Sequence, residues 1–158
     1  MIRVATVTAL ALLASACAGP RATSPIAPTP GLDWFFQTDG QTGKLAYGTP
    51  ETDELLLLLE CDKGGKKVLL SRPAPDGTKP EIVASAEGVA PTALPASSVE
   101  SQTHDGVDLD AELPLNAPLL AGLRKGGWMG VVVGSETRRY AAQPGNTAMD
   151  RFMTWCES

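Results

Sequence analysis

Glu54-Leu55-Leu56-Leu57-Leu58-Leu59-Glu60-Cys61 is the stretch whose reading decides the fold. Local signals around it favour a helix. Thr49 would be the N-cap and Pro50 the first helical residue, with Glu51, Asp53 and Glu54 facing the positive end of the helix dipole. Gly64 would then be the stop. A helix with leucine at five consecutive positions is, however, apolar on every side, and a surface helix is not. A short apolar run bounded by turn residues suits a strand buried on both faces. Gly64-Gly65, flanked by Lys63, Lys66 and Lys67 and followed by Val68-Leu69-Leu70, adds a hairpin signal. The stretch is therefore read as a central strand, buried on both faces and ending on Cys61. Were it a helix, the fold derived from it would fall.

Working outward, the remaining chain is strand-and-turn material. Trp34-Phe35-Phe36 opens the folded part as a first strand, and Lys44 to Tyr47 forms the next before Gly48-Thr49-Pro50 breaks it. Pro73, Pro75, Asp76-Gly77 and Pro80 mark a loop. Glu81 to Ala86 and Val89 to Leu94 are strands separated by Gly88. Val99 to His104 and Val107 to Leu113 flank Asp105-Gly106, a two-residue hairpin turn. A short helix runs from Asn116 or Pro118 through Leu123 and stops at Arg124-Lys125-Gly126-Gly127. Trp128 to Val133 pairs with Arg138 to Ala142 across Gly134-Ser135. Thr147 to Trp155 closes the chain as a helix, with Phe152 and Cys156 on one face. The fold class expected is mainly β: an antiparallel sandwich or barrel-like domain over residues 33–158, with one short internal helix and a C-terminal helix.

Residues 1–16 read as a secretory signal peptide: Met1 and Arg3, then an apolar run from Val4 to Leu13 too short to span a bilayer. Leu13-Ala14-Ser15-Ala16-Cys17 resembles a bacterial lipobox, in which the cysteine is lipidated and becomes the mature N-terminus. Ala14 stands where the usual leucine would be. Ala14-Ser15-Ala16 also satisfies an ordinary Ala-x-Ala cleavage site. Cysteine parity favours lipidation. The three cysteines are Cys17, Cys61 and Cys156, and an odd thiol is a liability in an oxidising compartment. Lipidating Cys17 leaves Cys61 to pair with Cys156. Such a bond closes a loop near 100 residues, worth about 4.7 kcal/mol in chain entropy. Residues 17–32 then form a lipid-anchored, proline-rich linker, of which 18–31 could extend roughly 40 Å at about 3.1 Å per residue. Ala18 after the cysteine resembles the sorting pattern for outer-membrane delivery. The localisation expected is a membrane-anchored lipoprotein facing the periplasm.

A second resemblance lies in the domain itself. Tyr47-Gly48-Thr49-Pro50, then Asp53, then the leucine run into Cys61, looks like a pattern in small uncharacterised exported proteins of alphaproteobacteria. Those proteins often place an aromatic or apolar residue four positions before a last cysteine, as Phe152 and Cys156 do here. The resemblance covers the two ends of the domain and fades between residues 72 and 112. It implies a strand at 54–61 and supports the disulfide. It implies no activity.

Charge narrows the partners. The chain has 13 basic and 18 acidic residues. Loss of residues 1–16 removes only Arg3 and leaves a formal charge of −6. That argues against nucleic acid, which demands clustered Lys and Arg, and admits a basic envelope protein as partner. Val107, Leu109, Ala111 and Leu113 alternate with Asp108, Asp110 and Glu112, so the three carboxylates share one strand face. This face is read as a solvated surface or an acidic docking patch. A metal site ranks below both, since calcium takes six to eight oxygens from a loop that wraps it. His104, the single histidine, flanks a hairpin turn without a Gly-x-Ser-x-Gly partner motif. Ser135 sits in a turn, Gly64-Gly65-Lys66-Lys67 is not a phosphate loop, and Trp128 and Trp155 read as core. No catalytic residue, metal or cofactor is assigned. The function expected is a non-enzymatic envelope lipoprotein that binds another protein. The alternatives are a structural component of the envelope, held by its anchor, and a small hydrolase with an unrecognised site at His104 or the carboxylates.

Overall fold

The computed structural model describes residues 26–52 and 54–158. The signal segment, Cys17 and the first part of the proline-rich linker lie outside the described residues. Ten strands and two helices follow in order: β1 (Asp33–Thr38), β2 (Thr42–Gly48), β3 (Leu55–Asp62), β4 (Lys67–Ala74), β5 (Glu81–Ala86), β6 (Val89–Pro95), β7 (Ser97–Glu100), β8 (Val107–Pro114), α1 (Pro118–Gly126), β9 (Trp128–Val133), β10 (Glu136–Ala141) and α2 (Ala148–Glu157). They build two antiparallel sheets, one of six strands in the order β1-β2-β3-β4-β8-β7 and one of four in the order β10-β9-β5-β6. Both sheets are open, so the architecture is a sandwich and not a closed barrel.

The leucine run is strand β3, and the helical signals before it fold as a turn. Thr52 N–H donates to Thr49 O at 3.3 Å. Pro50 takes the second turn position, which its fixed φ suits, and Glu51 takes a φ of 64° in the third. Side chains then alternate along β3. Leu57, Leu59 and Cys61 point into the core, opposite Tyr47, Leu45 and Gly43 of β2. Leu58 and Glu60 point to the other face and are only half-buried, Leu56 is the extra residue of a bulge against Tyr47 and Gly48 and packs on the core, and Leu55 is 39% exposed. Burial on both faces is therefore corrected. Neither helix lies over this outer face: α1 packs on β5, β9 and β6 of the other sheet, and α2 meets the six-stranded sheet from its inner side, through Phe36, Gly43 and Cys61.

The core fills the space between the sheets. Leu45, Leu57, Leu59, Val68, Leu70, Leu109 and Ala111 come from the six-stranded sheet, and Ile82, Ala84, Met129 and Val131 from the four-stranded one. Trp34, Tyr47 and Tyr140 pack edge-to-face at one end, with centroids 5.1 to 6.4 Å apart. Helix α2 closes the sandwich with buried Phe152 and Met153. Trp155 lies against Gly43, where a side chain would collide with the indole. Cys61 and Cys156 form a disulfide with Cα atoms 5.8 Å apart, tying the end of β3 to α2 as expected.

Two other expectations change. The hairpin at Asp105-Gly106 has no two-residue turn. Strand β7 stops at Glu100, which pairs with Val107, and residues 101–106 form a wider loop. Ser101 N–H donates to Gly106 O at 3.1 Å, and Ser101 and Thr103 bond within the loop. Such local bonds compete with ladder bonds. Gly106, at a φ of 117°, lies against the Ala74 carbonyl where a Cβ would not fit. Strand β4 also runs on through Pro73 to Ala74, where a loop was expected. Its register with β3 covers only Leu69 to Ser71, so Pro73 interrupts no ladder on that side.

Candidate functional site

The site is built by strand register on the outer face of the six-stranded sheet. Directly paired residues cross the sheet in rows. One row runs Phe35, Ala46, Leu58, Ser71, Asp110, Ser97, from β1 through β4 and β8 to β7. The next runs Gln37, Lys44, Glu60, Leu69, Glu112. On the other side, Pro73 pairs with Asp108, and Asp108 with Val99. The period-2 rule thus places Asp108, Asp110 and Glu112 together on one face, as the sequence indicates. It also places Leu69 and Leu58 on the same face, with Phe35 further along it on β1, which the reading of a doubly buried strand missed. Alternation turns every second leucine of the run to the far face of the sheet, and whether that face is covered depends on packing elsewhere in the domain.

The carboxylate row borders this apolar band and is partly neutralised. Glu112 Oε2 pairs with Lys67 Nζ at 2.6 Å, with both side chains well exposed. Asp108 Oδ1 lies 3.0 Å from His104 Nε2, and His104 Nδ1 lies 3.0 Å from the Asp105 carbonyl. The bond to that carbonyl, followed by the Asp108 contact, raises the His104 pKa above its ordinary value of 6.5. Among the described residues, Asp110 has no ion-pair partner; only its backbone carbonyl is engaged, accepting from Ser97 Oγ at 3.5 Å. Glu60 pairs with Lys44 at 2.7 Å, which raises the lysine pKa. Strand β8 is not the sheet edge. The short strand β7 covers it, and Val99 of β7 is 49% exposed.

Residues two apart on a strand sit about 6.8 Å apart, so the three carboxylates do not converge on one point. Among the described residues, no group of three His, Cys, Asp or Glu side chains is placed to hold a metal ion. His104 sits on the 101–106 loop, and its neighbour Ser101 bonds Thr103 at 3.4 Å and not the imidazole. Two clefts lie elsewhere, one at the start of β9 and one along α2, and neither is lined by His104 or by the three carboxylates. Ser135 is in the tight β9–β10 turn, and Lys63 and Lys66 are exposed at the β3–β4 turn. Trp155 is half-buried beneath Lys63, whose Nζ lies 4.9 Å from the ring centroid.

Sequence reasoning also missed Arg72. It sits on the inner face of β4, in line with Val68 and Leu70, and is 5% exposed. Its guanidinium donates to Glu136 Oε2 and to Pro73 O, each at 2.7 Å. Arg138 and Arg72 together hold the Glu136 carboxyl below its ordinary value, while burial pushes the nearby Tyr140 hydroxyl up. This cluster bridges the two sheets and is structural. Comparison with protein-family models, with curated proteins and with solved structures finds no match.

Proposed function

We propose that this protein is a non-enzymatic docking module of the cell envelope. Its working surface is the outer face of the six-stranded sheet, and its partner is a protein with a basic surface. One observation carries the reading: Phe35, Leu58 and Leu69 form an apolar band on a face that neither helix covers, bordered on one side by Asp108, Asp110 and Glu112. The solvent face of an antiparallel sheet is ordinarily polar, and a contiguous apolar patch with a polar rim marks an interaction surface. The apolar band supplies affinity by burial. The carboxylate rim, on a chain of formal charge −5, supplies orientation and association rate toward a cationic partner. The export signal, lipidation of Cys17 and a periplasm-facing, outer-membrane location belong to this reading as its context.

The test is capture of envelope extract on the immobilised chain, in parallel with two variants. One carries Leu58→Ser and Leu69→Ser. The other carries Asp108→Asn, Asp110→Asn and Glu112→Gln. A partner retained by the parent chain and lost by the leucine variant, with weaker retention and reduced salt sensitivity in the carboxylate variant, is the expected result. Equal retention by all three, or none by any, would sink the proposal.

A further inference from the structure

Away from that face, a groove of about 880 Å³ opens where α1 ends, β9 begins and the chain leaves β10. Its polar lining can be followed group by group. Arg124 Nε donates to Asp150 Oδ1 at 2.8 Å, and Glu157 stands 3.6 Å from the same guanidinium. Glu87 Oε2 accepts from Trp128 Nε1 at 3.2 Å. Gln143 Nε2 donates to the Thr29 and Leu32 carbonyls, each at 3.0 Å. Asn146 is committed to Trp34 O and the Ala148 N–H. What remains is Lys125 and Arg139. Among the described residues neither has a hydrogen-bond or ion-pair partner, and both line the groove. Among the basic groups the free capacity is therefore Lys125 and Arg139; the lining counts three cations, Arg124, Lys125 and Arg139, against the Glu87 and Asp150 carboxylates, a surplus of one positive charge on a protein whose formal charge is −5.

Gly130 shapes the wall between these groups. A Cβ there would meet Ser85 Oγ at 2.6 Å but make only ordinary contact with Trp128 Cζ3 at 3.7 Å and Arg139 Cγ at 3.9 Å, so the indole and the arginine stem both lie along this glycine. The indole is half-exposed at the groove. We propose that this groove is an anion site for a phosphate-bearing ligand, with Arg139 and Lys125 on the phosphate oxygens and the ligand's carbon portion against Trp128. A carboxylate offers two oxygens, which the arginine fork alone can fill. A phosphate offers three, enough for the fork and a lysine point charge together. Ile26, the first described residue, also lines the groove. Two sources could supply such a phosphate monoester: a soluble ester or a lipid headgroup.

The experiment uses the full chain carrying Cys17→Ser, so that no attached lipid contributes and failure of the lipidation reading cannot mimic failure of the site. The indole N–H resonance of Trp128 is followed against inorganic phosphate, glycerol phosphate, acetate, and vesicles containing phosphatidic acid, a monoester, or phosphatidylcholine alone, a diester. The expected result is a saturable shift with glycerol phosphate, assigning a soluble ligand, or with phosphatidic acid vesicles, assigning a headgroup. Apparent affinity should fall about tenfold or more in Lys125→Ala and in Arg139→Ala. It should hold in Lys63→Ala, which lies outside the groove. Both groove side chains are exposed, and Arg139→Gln keeps most of the stem should alanine perturb the wall. No saturation with any phosphate, equal saturation with acetate or phosphatidylcholine, or binding that survives both substitutions would overturn the proposal.

Discussion

Removing the disulfide should cost this domain much of its stability without changing its fold. The bond joins residues 95 apart in sequence, so a reduced, unfolded chain gains the entropy of a loop that spans most of the domain. The chain-entropy relation gives about 4.7 kcal/mol at 25 °C for a loop of that length. A domain stability of about 5–15 kcal/mol makes this a large fraction of the total. Native contacts that persist without the bond do not alter that entropy. Phe152 stays buried against Phe36, with ring centroids 6.2 Å apart, and Met149 and Met153 remain in the core. Helix α2 should therefore stay docked in the folded reduced protein. The perturbation is Cys61→Ser with Cys156→Ser, in a Cys17→Ser background for both proteins compared. The assay is urea unfolding followed by far-ultraviolet circular dichroism and tryptophan fluorescence, which Trp155 beside the bond should report. With a slope of about 2 kcal/mol per molar urea, the midpoint should fall by about 2 M. A loss below about 1 kcal/mol, or a fluorescence transition preceding the dichroism transition in the variant, would refute the reasoning.

Two further outcomes follow from the charged groups. Arg72 is buried and Glu136 is 44% exposed, so the two halves of the pair are not equivalent. Glu136→Ala strands a buried guanidinium and should cost about 1–3 kcal/mol, whereas Arg72→Met replaces it with matching apolar bulk and should cost less. Denaturation midpoints in the reverse order would contradict this. His104 should titrate above 6.5 in the folded chain. The stability it contributes is fully present below the unfolded pKa and is lost as pH rises through the folded one. Nuclear magnetic resonance titration of its ring reads this directly. Asp108→Asn should lower the value without abolishing the shift, since the Asp105 carbonyl remains, and titration at or below 6.5 in the parent chain would count against the geometry.

Much of the fold was legible because local signals and periodicity agreed. Strand β8 alternates apolar and acidic residues along its length, and α1 ends on Gly127 at a φ of 70°, with Arg124 and Lys125 in the last turn. Odd cysteine parity gave the Cys61–Cys156 pair. The leucine run was read as a strand against its flanking helix signals, and Thr49-Pro50-Glu51 proved to be a turn. The misses have a common cause in what a single strand cannot reveal. Whether the second face of β3 is covered depends on where α1 and α2 pack, which no residue of β3 specifies. Arg72 was overlooked because its partner Glu136 is 64 residues away, on the other sheet. The groove at Trp128 is assembled from α1, β9, β10 and the chain around Ile26, segments whose meeting is a property of the packed sandwich alone.

The most direct test of the docking face is hydroxyl-radical footprinting of the side chains, read peptide by peptide in the free chain and in the complex captured from envelope extract. The account predicts that oxidation of Phe35, Leu58 and Leu69 falls on complex formation while that of Trp128 is unchanged. Protection confined to Trp128 or to α2, with the leucines of β3 and β4 as reactive as in the free chain, would contradict it.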